Sequence, residues 1–253
     1  MRLSKFLALC GFGSRRKNKE LILSGKVVIN GIVVRDLSYK VDPEKDKVII
    51  GGKEVKPPPK VYYLFYKPRG YLTSLYDPHH RKTIKIFLEK LPYKVFPVGR
   101  LDKESEGLLL LTNDGDLANI LLHPKYEIKR TYLVWVNPKP KERDIKILLR
   151  DGILLEEKKV KPLEFDFIKK EGRFWVYRVT VKEGVKREVR KMVSFLGSKV
   201  YKLLRIAFGT LELNNLKPGE IRPLSFQELK KLREHVQLKS SKILESTSSG
   251  ELT

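Results

Sequence analysis

A chain of 253 residues carrying 53 Lys and Arg against 30 Asp and Glu, with a formal charge of +23 and a pI near 9.9, presents a surface potential that recruits polyanions, nucleic acid ahead of anionic membrane. Its 41% hydrophobic and 33% charged residues exclude a disordered or fibrous chain and leave room for one core of ordinary size and a smaller second one. The single cysteine, Cys10, excludes an internal disulfide and a cysteine-rich zinc site, the four histidines lack metal-ligand spacing, and no apolar run approaches the roughly 18 residues of a membrane span. The opening MRLSKFLALCGFGSRR turns basic too soon for a secretory signal, so a cytoplasmic protein with no membrane contact is expected.

In chain order, Leu3, Phe6, Leu7 and Cys10 recur at helical spacing, Gly11 and Gly13 break that helix, and Ser14 is placed to cap a second one carrying Leu21 and Ile22. KVVIN-G-IVV then predicts two short strands around an Asn30-Gly31 turn. Arg15, Arg16, Lys17 and Lys19 crowd the first turns of the second helix, where the helix dipole disfavours each cation by about a few tenths of a kcal/mol. An anionic partner offsets that penalty; a solvated basic face is the plainer alternative. As a whole, RLSKFLALCGFGSRRKNKELILSGKVVINGIVV resembles the alpha-L RNA-binding module. The resemblance implies a module over residues 1–56 that recognises RNA shape, with Arg2, Lys5, Arg15, Arg16, Lys17 and Lys19 as its RNA contacts. Asn18 stands where the module commonly has a small apolar residue, which predicts looser packing.

Three consecutive prolines in GGKEVKPPPK cannot continue a sheet interior, so a stiff linker is placed at 57–60 and a second domain at 61–238. There VYYLFY, VFPVG, GLLLLT, RTYLVWV, FWVYRVTV and GTLEL read as strands, and KTIKIFLEKL, DLANILLH, ERDIKILLRDG and KREVRKMVSFLG as helices. Strands outnumber helices without alternating regularly with them, which predicts an α+β fold with a large mixed, mainly antiparallel sheet. LSFQELKKLREHVQ closes the domain as a helix, and the Ser/Thr-rich segment 239–253 is expected to be a flexible tail.

Chemistry points to three places. In GRLDKESEGLLLLTNDG the charged run enters a strand that reads as buried on both faces. Arg100, Asp102, Glu104 and Glu106 lie two apart, so an extended chain lines them on one face, whereas a loop turns only one or two inward. Glu104 and Glu106 read as surface charges at a strand entrance, while Asp102, after Leu101, stands where the chain leaves the surface. Val189, Met192, Val193 and Leu196 form a buried helical stripe with Arg187, Arg190 and Lys191 on its other side. Those cations form either a solvated face or partners that keep a carboxylate ionised in a partly dry cleft. Tyr132 begins a strand, as a core aromatic or as a platform.

GRLDKESEGLLLLTNDGDLAN, KRTYLV and EGVKREVRKM, with YKPRGYLTS before them and LKPGEIRPLSFQEL after, resemble the motifs of the ribosomal-RNA pseudouridine synthases that join an alpha-L module to a catalytic domain. The resemblance spans residues 1–230 and implies Asp102 as the catalytic aspartate, Tyr132 as the aromatic stacking on the target base, and Arg190 as the partner of the aspartate. Arg100 is implied to hold or replace the flipped nucleotide, and Lys186, Arg187 and Lys191 to bind RNA. Val185 departs from a commonly polar position, which predicts one backbone contact fewer. The implied reaction needs no cofactor and no metal, and the implied partner of a monomeric enzyme is ribosomal RNA or an assembly intermediate, of the large subunit rather than the small. Two rival functions use the same residues: a noncatalytic RNA-binding assembly factor needs only the basic surface, and an RNA N-glycosidase pairs Asp102 with Glu104 or Glu106.

Overall fold

The structure, a computed structural model, describes residues 1–79 and 82–248. It divides into two compact units, one of Met1–Lys60 with Pro92–Lys94, the other of Val61–Leu91 with Val95–Thr253.

In the first unit, α1 (Leu3–Leu9) and α2 (Arg15–Leu23) pack Leu3, Phe6, Leu7 and Ile22 against Val27 and Ile29. The hydroxyl of Ser14 accepts from Lys17 N and caps α2. Strands β1 (Val27–Ile29) and β2 (Ile32–Val33) form the expected hairpin, with Asn30 and Gly31 at φ 51° and 84° as a two-residue turn of this hand requires. With β3 (Val48–Ile50) and β4 (Lys53–Glu54) they make an antiparallel sheet of order β2-β1-β3-β4. Asn18 overturns the expectation of loose packing. It is fully buried, and its amide is satisfied at both ends, donating to Phe12 O at 3.0 Å and accepting from Ala8 N at 2.9 Å, so it ties α2 to the end of α1. Pro57, Pro58 and Pro59 take no regular structure.

The second unit is built on one mixed sheet. In chain order come β5 (Tyr62–Lys67), α3 (Lys85–Leu88), β6 (Phe96–Pro97), β7 (Glu106–Thr112), α4 (Gly115–Leu122), β8 (Arg130–Asn137) and α5 (Glu142–Asp151). A small ribbon of β9 (Ile153–Leu155) and β10 (Lys158–Val160) precedes β11 (Glu164–Glu171), β12 (Phe174–Val181), α6 (Glu188–Phe195), β13 (Lys199–Phe208), β14 (Leu211–Glu212), β15 (Ile221–Pro223) and α7 (Phe226–Ser248). The sheet order is β11-β12-β8-β13-β7-β5-β15, with β6 on β7 and β14 on β13, and only β7 and β13 run parallel. GLLLLT is buried on both faces as read: Leu108 and Leu110 join Leu64, Leu117 and Leu121 on one side, and Leu109 and Leu111 join Phe65 and Ile84 on the other. A separate cluster under α6 holds Tyr132, Val134, Tyr177, Met192 and Leu203.

Two expectations change. The strand reading omitted β13, the ten-residue centre of the sheet, and β11 at its edge. The last helix does not stop at residue 238 but runs as α7 to Ser248, because LKSSKILES contains no Gly or Pro to break it; the remainder of the expected tail, 249–253, lies outside the described residues. No helix among the described residues is long and apolar enough to cross a membrane.

Candidate active site

A cleft of about 870 Å³ opens where the loop before β7, together with β8 and β13, meets the start of α6. Asp102 reaches it from a loop over residues 100–105, and that loop, rather than an extended strand, decides which charges turn inward. Ser105 N donates to Asp102 O at 3.0 Å, closing a tight turn. Asp102 is half-buried and lines the cleft, as do exposed Arg100 and Glu104. Glu106 turns away into the sheet, where it pairs with Lys202 Nζ at 3.2 Å.

The loop is fastened from one side by the YKPRGYLT segment. Lys67 is fully buried, and its Nζ donates to Ser105 O at 2.7 Å and Pro68 O at 3.0 Å. Burial pushes this ammonium down to about 8, with the charges of Glu106, Asp102 and Glu104 opposing the shift. Gly70 N donates to Lys103 O, and Thr73 Oγ1 both donates to Leu101 O and accepts from Leu101 N. Thus both residues flanking Asp102 have their carbonyls held.

Arg190 fastens the other side, and here the expectation is corrected. The structure contains no ion pair between Arg190 and Asp102; Arg190 Nη2 donates instead to Glu104 O at 3.2 Å and Ser105 Oγ at 3.3 Å. Its Nε is buried without a partner among the described residues. Burial and neighbouring Arg187 lower its pKa, while Asp102 and Glu104 raise it, so it acts on the aspartate at longer range. The reason is reach: the tight turn brings the backbone of Glu104 and Ser105 to the guanidinium first.

Tyr132 lies on β8 at 9% exposure and lines the cleft while belonging to the core cluster beneath α6, so its two readings are compatible. Of the basic residues expected near it, Lys186 and Arg187 are exposed at the cleft, and Arg187 Nη1 approaches Glu104 at 3.7 Å. Lys191 is not among the cleft residues and pairs with Glu156 at 2.7 Å. Val185 lines the cleft. Arg2, Arg15, Arg16, Lys17 and Lys19 are exposed on the first unit, with Lys5 half-buried beside them.

Sequence reasoning missed four charged residues that line or support the cleft: Lys67, Arg130, Glu188 and Arg205. Arg130 Nη1 donates to Ile128 O, Lys182 O and Glu183 O, and both its guanidinium and that of Arg205 lie against Phe208, at 5.6 and 5.3 Å from the ring centre. Arg205 Nε donates to Leu108 O at 2.7 Å. Burial, reinforced by Glu183, pushes the Glu188 carboxyl up to about 7 against the pull of Arg130 and Lys158. No cluster of metal-binding side chains occurs among the described residues.

The RNA pseudouridylate synthase family model matches residues 61–195, and the S4 domain model matches residues 1–48. A Bacillus subtilis protein named ribosomal large subunit pseudouridine synthase B is 42% identical over 92% of this chain and 95% of its own length. The chain belongs to the RNA pseudouridylate synthase family. An Aquifex aeolicus protein named as an uncharacterized RNA pseudouridine synthase is 45% identical over 94% of this chain and 96% of its own. A crystal structure of a pseudouridylate synthase aligns with a TM-score of 0.65 and 30% identity over 92% of this chain and 99% of that one. The mixed sheet, with its S4 domain ahead of it, is therefore the fold of an RNA pseudouridine synthase.

Proposed function

We propose that this synthase isomerises a uridine of large-subunit ribosomal RNA, with Asp102 as its catalytic carboxylate. The observation that carries the reading is the fixing of Asp102: its loop is held by Lys67, Gly70 and Thr73 on one side and Arg190 on the other, and it lines the same cleft as Tyr132. The reaction breaks the bond from ribose C1′ to uracil N1, turns the base, joins C1′ to C5 and loses the C5 proton, while N1 takes up a proton, so that the product is an isomer of the substrate. A carboxylate held at the ribose serves as nucleophile or as acid/base group and assists removal of the C5 proton. The target leaves its stack to be reached, so an aromatic platform and cations beside the carboxylate suit it; Tyr132 supplies the first, Arg100 and Arg187 the second. Identity to a relative named for the large subunit supports that choice of RNA. The enzyme is proposed to act as a monomer on the RNA or on an assembly intermediate.

A hydrolytic N-glycosidase that pairs Asp102 with Glu104 or Glu106 is less well supported, since Glu106 is committed to Lys202 and Glu104 is exposed beside Arg187. The test is to incubate transcripts of both ribosomal RNAs with the protein and with Asp102→Asn, map pseudouridine, and assay free uracil. The expected result is one modified position in the large-subunit RNA, no released base, and a loss of about 100-fold or more in rate with RNA affinity retained for Asp102→Asn. An active Asp102→Asn protein overturns the assignment.

A further inference from the structure

We infer that Arg205 and Glu188 read the edge of the flipped uracil, Arg205 Nη2 donating to a base carbonyl and the Glu188 carboxylate accepting from N3–H. The inference rests on the functional reading above and names how that site holds its base.

Both side chains are buried, Arg205 at 2% exposure and Glu188 at 5%, and both line the cleft that holds Asp102 and Tyr132. Each keeps one polar atom unused: Arg205 Nη2 and Glu188 Oε1 have no hydrogen-bond partner among the described residues. Buried polar groups are nearly always paired, so an orphan donor and an orphan acceptor lining one cleft mark a place where a ligand completes the bonding. The backbone fixes where they stand. Arg205 sits opposite Tyr132 on β8 and Gly107 on β7, so it adjoins both the platform and the strand that follows Asp102. Glu188 begins α6, two residues before Arg190. Arg130, between them in charge terms, already gives its Nη1 to three carbonyls, and half-buried Glu183 adds a second unpaired carboxylate oxygen that concentrates acceptor character on that side.

Uracil presents carbonyl O2, N3–H and carbonyl O4 in a row. A donor beside an acceptor matches that edge, whereas cytosine sets an unprotonated N3 against the Glu188 acceptor and, where Arg205 meets C4, an amino donor against the Arg205 donor. The reaction adds a further reason. Turning the ring about its N3–C6 axis exchanges N1 with C5 and O2 with O4 but returns N3–H to the same place. One donor on a carbonyl and one acceptor on N3–H are therefore satisfied before and after the turn, so the site grips the base without opposing its rotation.

The test uses the full-length protein and a ribosomal RNA fragment carrying the mapped target as uridine or as 3-methyluridine, with single-turnover rates read by nucleoside chromatography. Methylation removes the N3 donor. The wild-type protein should convert 3-methyluridine about 10- to 100-fold more slowly than uridine, on the scale of a hydrogen bond to a charged group, and Glu188→Ala should shrink that ratio toward one while slowing uridine itself. Glu188→Gln, which keeps an acceptor oxygen and the side-chain volume, should keep the discrimination of the wild type, and Glu188→Leu, of similar volume with no acceptor, provides the acceptor-free comparison should Glu188→Ala fail to fold. Arg205→Met should slow both substrates by a similar factor and leave their ratio unchanged. A protein that converts uridine but shows the same ratio in the wild type and in a folded variant without the acceptor, Glu188→Ala or Glu188→Leu, overturns the edge assignment. A wild-type protein that converts no uridine overturns the functional reading, and the edge assignment with it.

Discussion

Lys67 shows how much of the site depends on a residue that never touches the cleft. Its fully buried ammonium holds Ser105 O, and replacing it by Met strands that carbonyl and Pro68 O, which costs about 1–3 kcal/mol for each group left unpaired. Lys67→Met should therefore loosen the Asp102 loop and lower turnover more than RNA affinity, as the two measured together will show. The pH dependence has a definite sign. The folded value near 8 lies below the ordinary 10.5, so between these the unfolded chain binds more protons and stability rises with pH. Urea melts of both proteins should show the stability of the wild type relative to Lys67→Met growing by about 2–3 kcal/mol from pH 7.5 to 10.5. The position of Asp102 at the cleft was legible in part: a charged run enters an apolar strand, which directs attention to the entry point, while the role expected of it came from the family resemblance. Lys67 and Arg205 were not legible, because a single charge among apolar residues reads as a solvent-facing position unless its buried partners are seen, and Glu188 was not, because the charged run Lys186-Arg187-Glu188 around it reads as a solvated face. The expected Asp102–Arg190 pair came from the resemblance, and a resemblance of motifs does not reveal that backbone oxygens will intercept a guanidinium.

At the scale of elements, the least replaceable contact is between β7 and β13. Gly107 has φ 107°, and a Cβ there would stand 2.3 Å from Arg205 O and 2.7 Å from Arg205 N, both backbone atoms of the neighbouring strand. Neither atom can swing aside, so Gly107→Ala should destabilise the fold by about 3 kcal/mol or more and displace the Asp102 loop, measured as a lower urea midpoint with activity lost even where the protein is folded. Hairpin β1–β2, strand β7 and helix α5 were legible, since each has strong periodicity and firm punctuation: Asn30-Gly31, Gly107 with Asn113-Asp114-Gly115, and Gly152. Strand β13 was not. KVYKLLRIAF interleaves Lys199, Lys202 and Arg205 with its apolar residues, so it lacks the apolar run expected of a central strand. Its flanking Gly197 and Gly209 and its Val, Tyr, Ile and Phe are the signal that could have found it.

For the whole molecule, charge is the dominant property, and the first unit carries a dense part of it. Arg15, Arg16, Lys17 and Lys19 are exposed, so changing all four to alanine should leave thermal stability nearly unchanged while lowering the salt dependence of binding to ribosomal RNA by about 3 in slope. An unchanged slope, read from binding isotherms at several salt concentrations, removes this face as the docking element. Three prolines mark the neighbourhood of residue 60, where the two units divide, but nothing in the sequence assigns Pro92–Lys94 to the first unit, and the architecture of the second was legible only in class. The single parallel join of that unit has a mechanical meaning. β13 is laddered to β8 along its length, from Lys199 opposite Asn137 to Phe208 opposite Arg130, but to β7 at only Leu204–Glu106 and Arg205–Gly107, with Arg205 Nε on Leu108 O as a side-chain rivet. A sheet bends most easily where the fewest bonds cross it; one apolar cluster lies under α6 on one panel, while the one along β7 reaches across the join to Phe208 and Leu211. The join with the fewest ladder bonds therefore lies beside the cleft that Asp102 and Tyr132 line, and side-chain packing across it, more than backbone bonding, sets how stiffly the two panels are held.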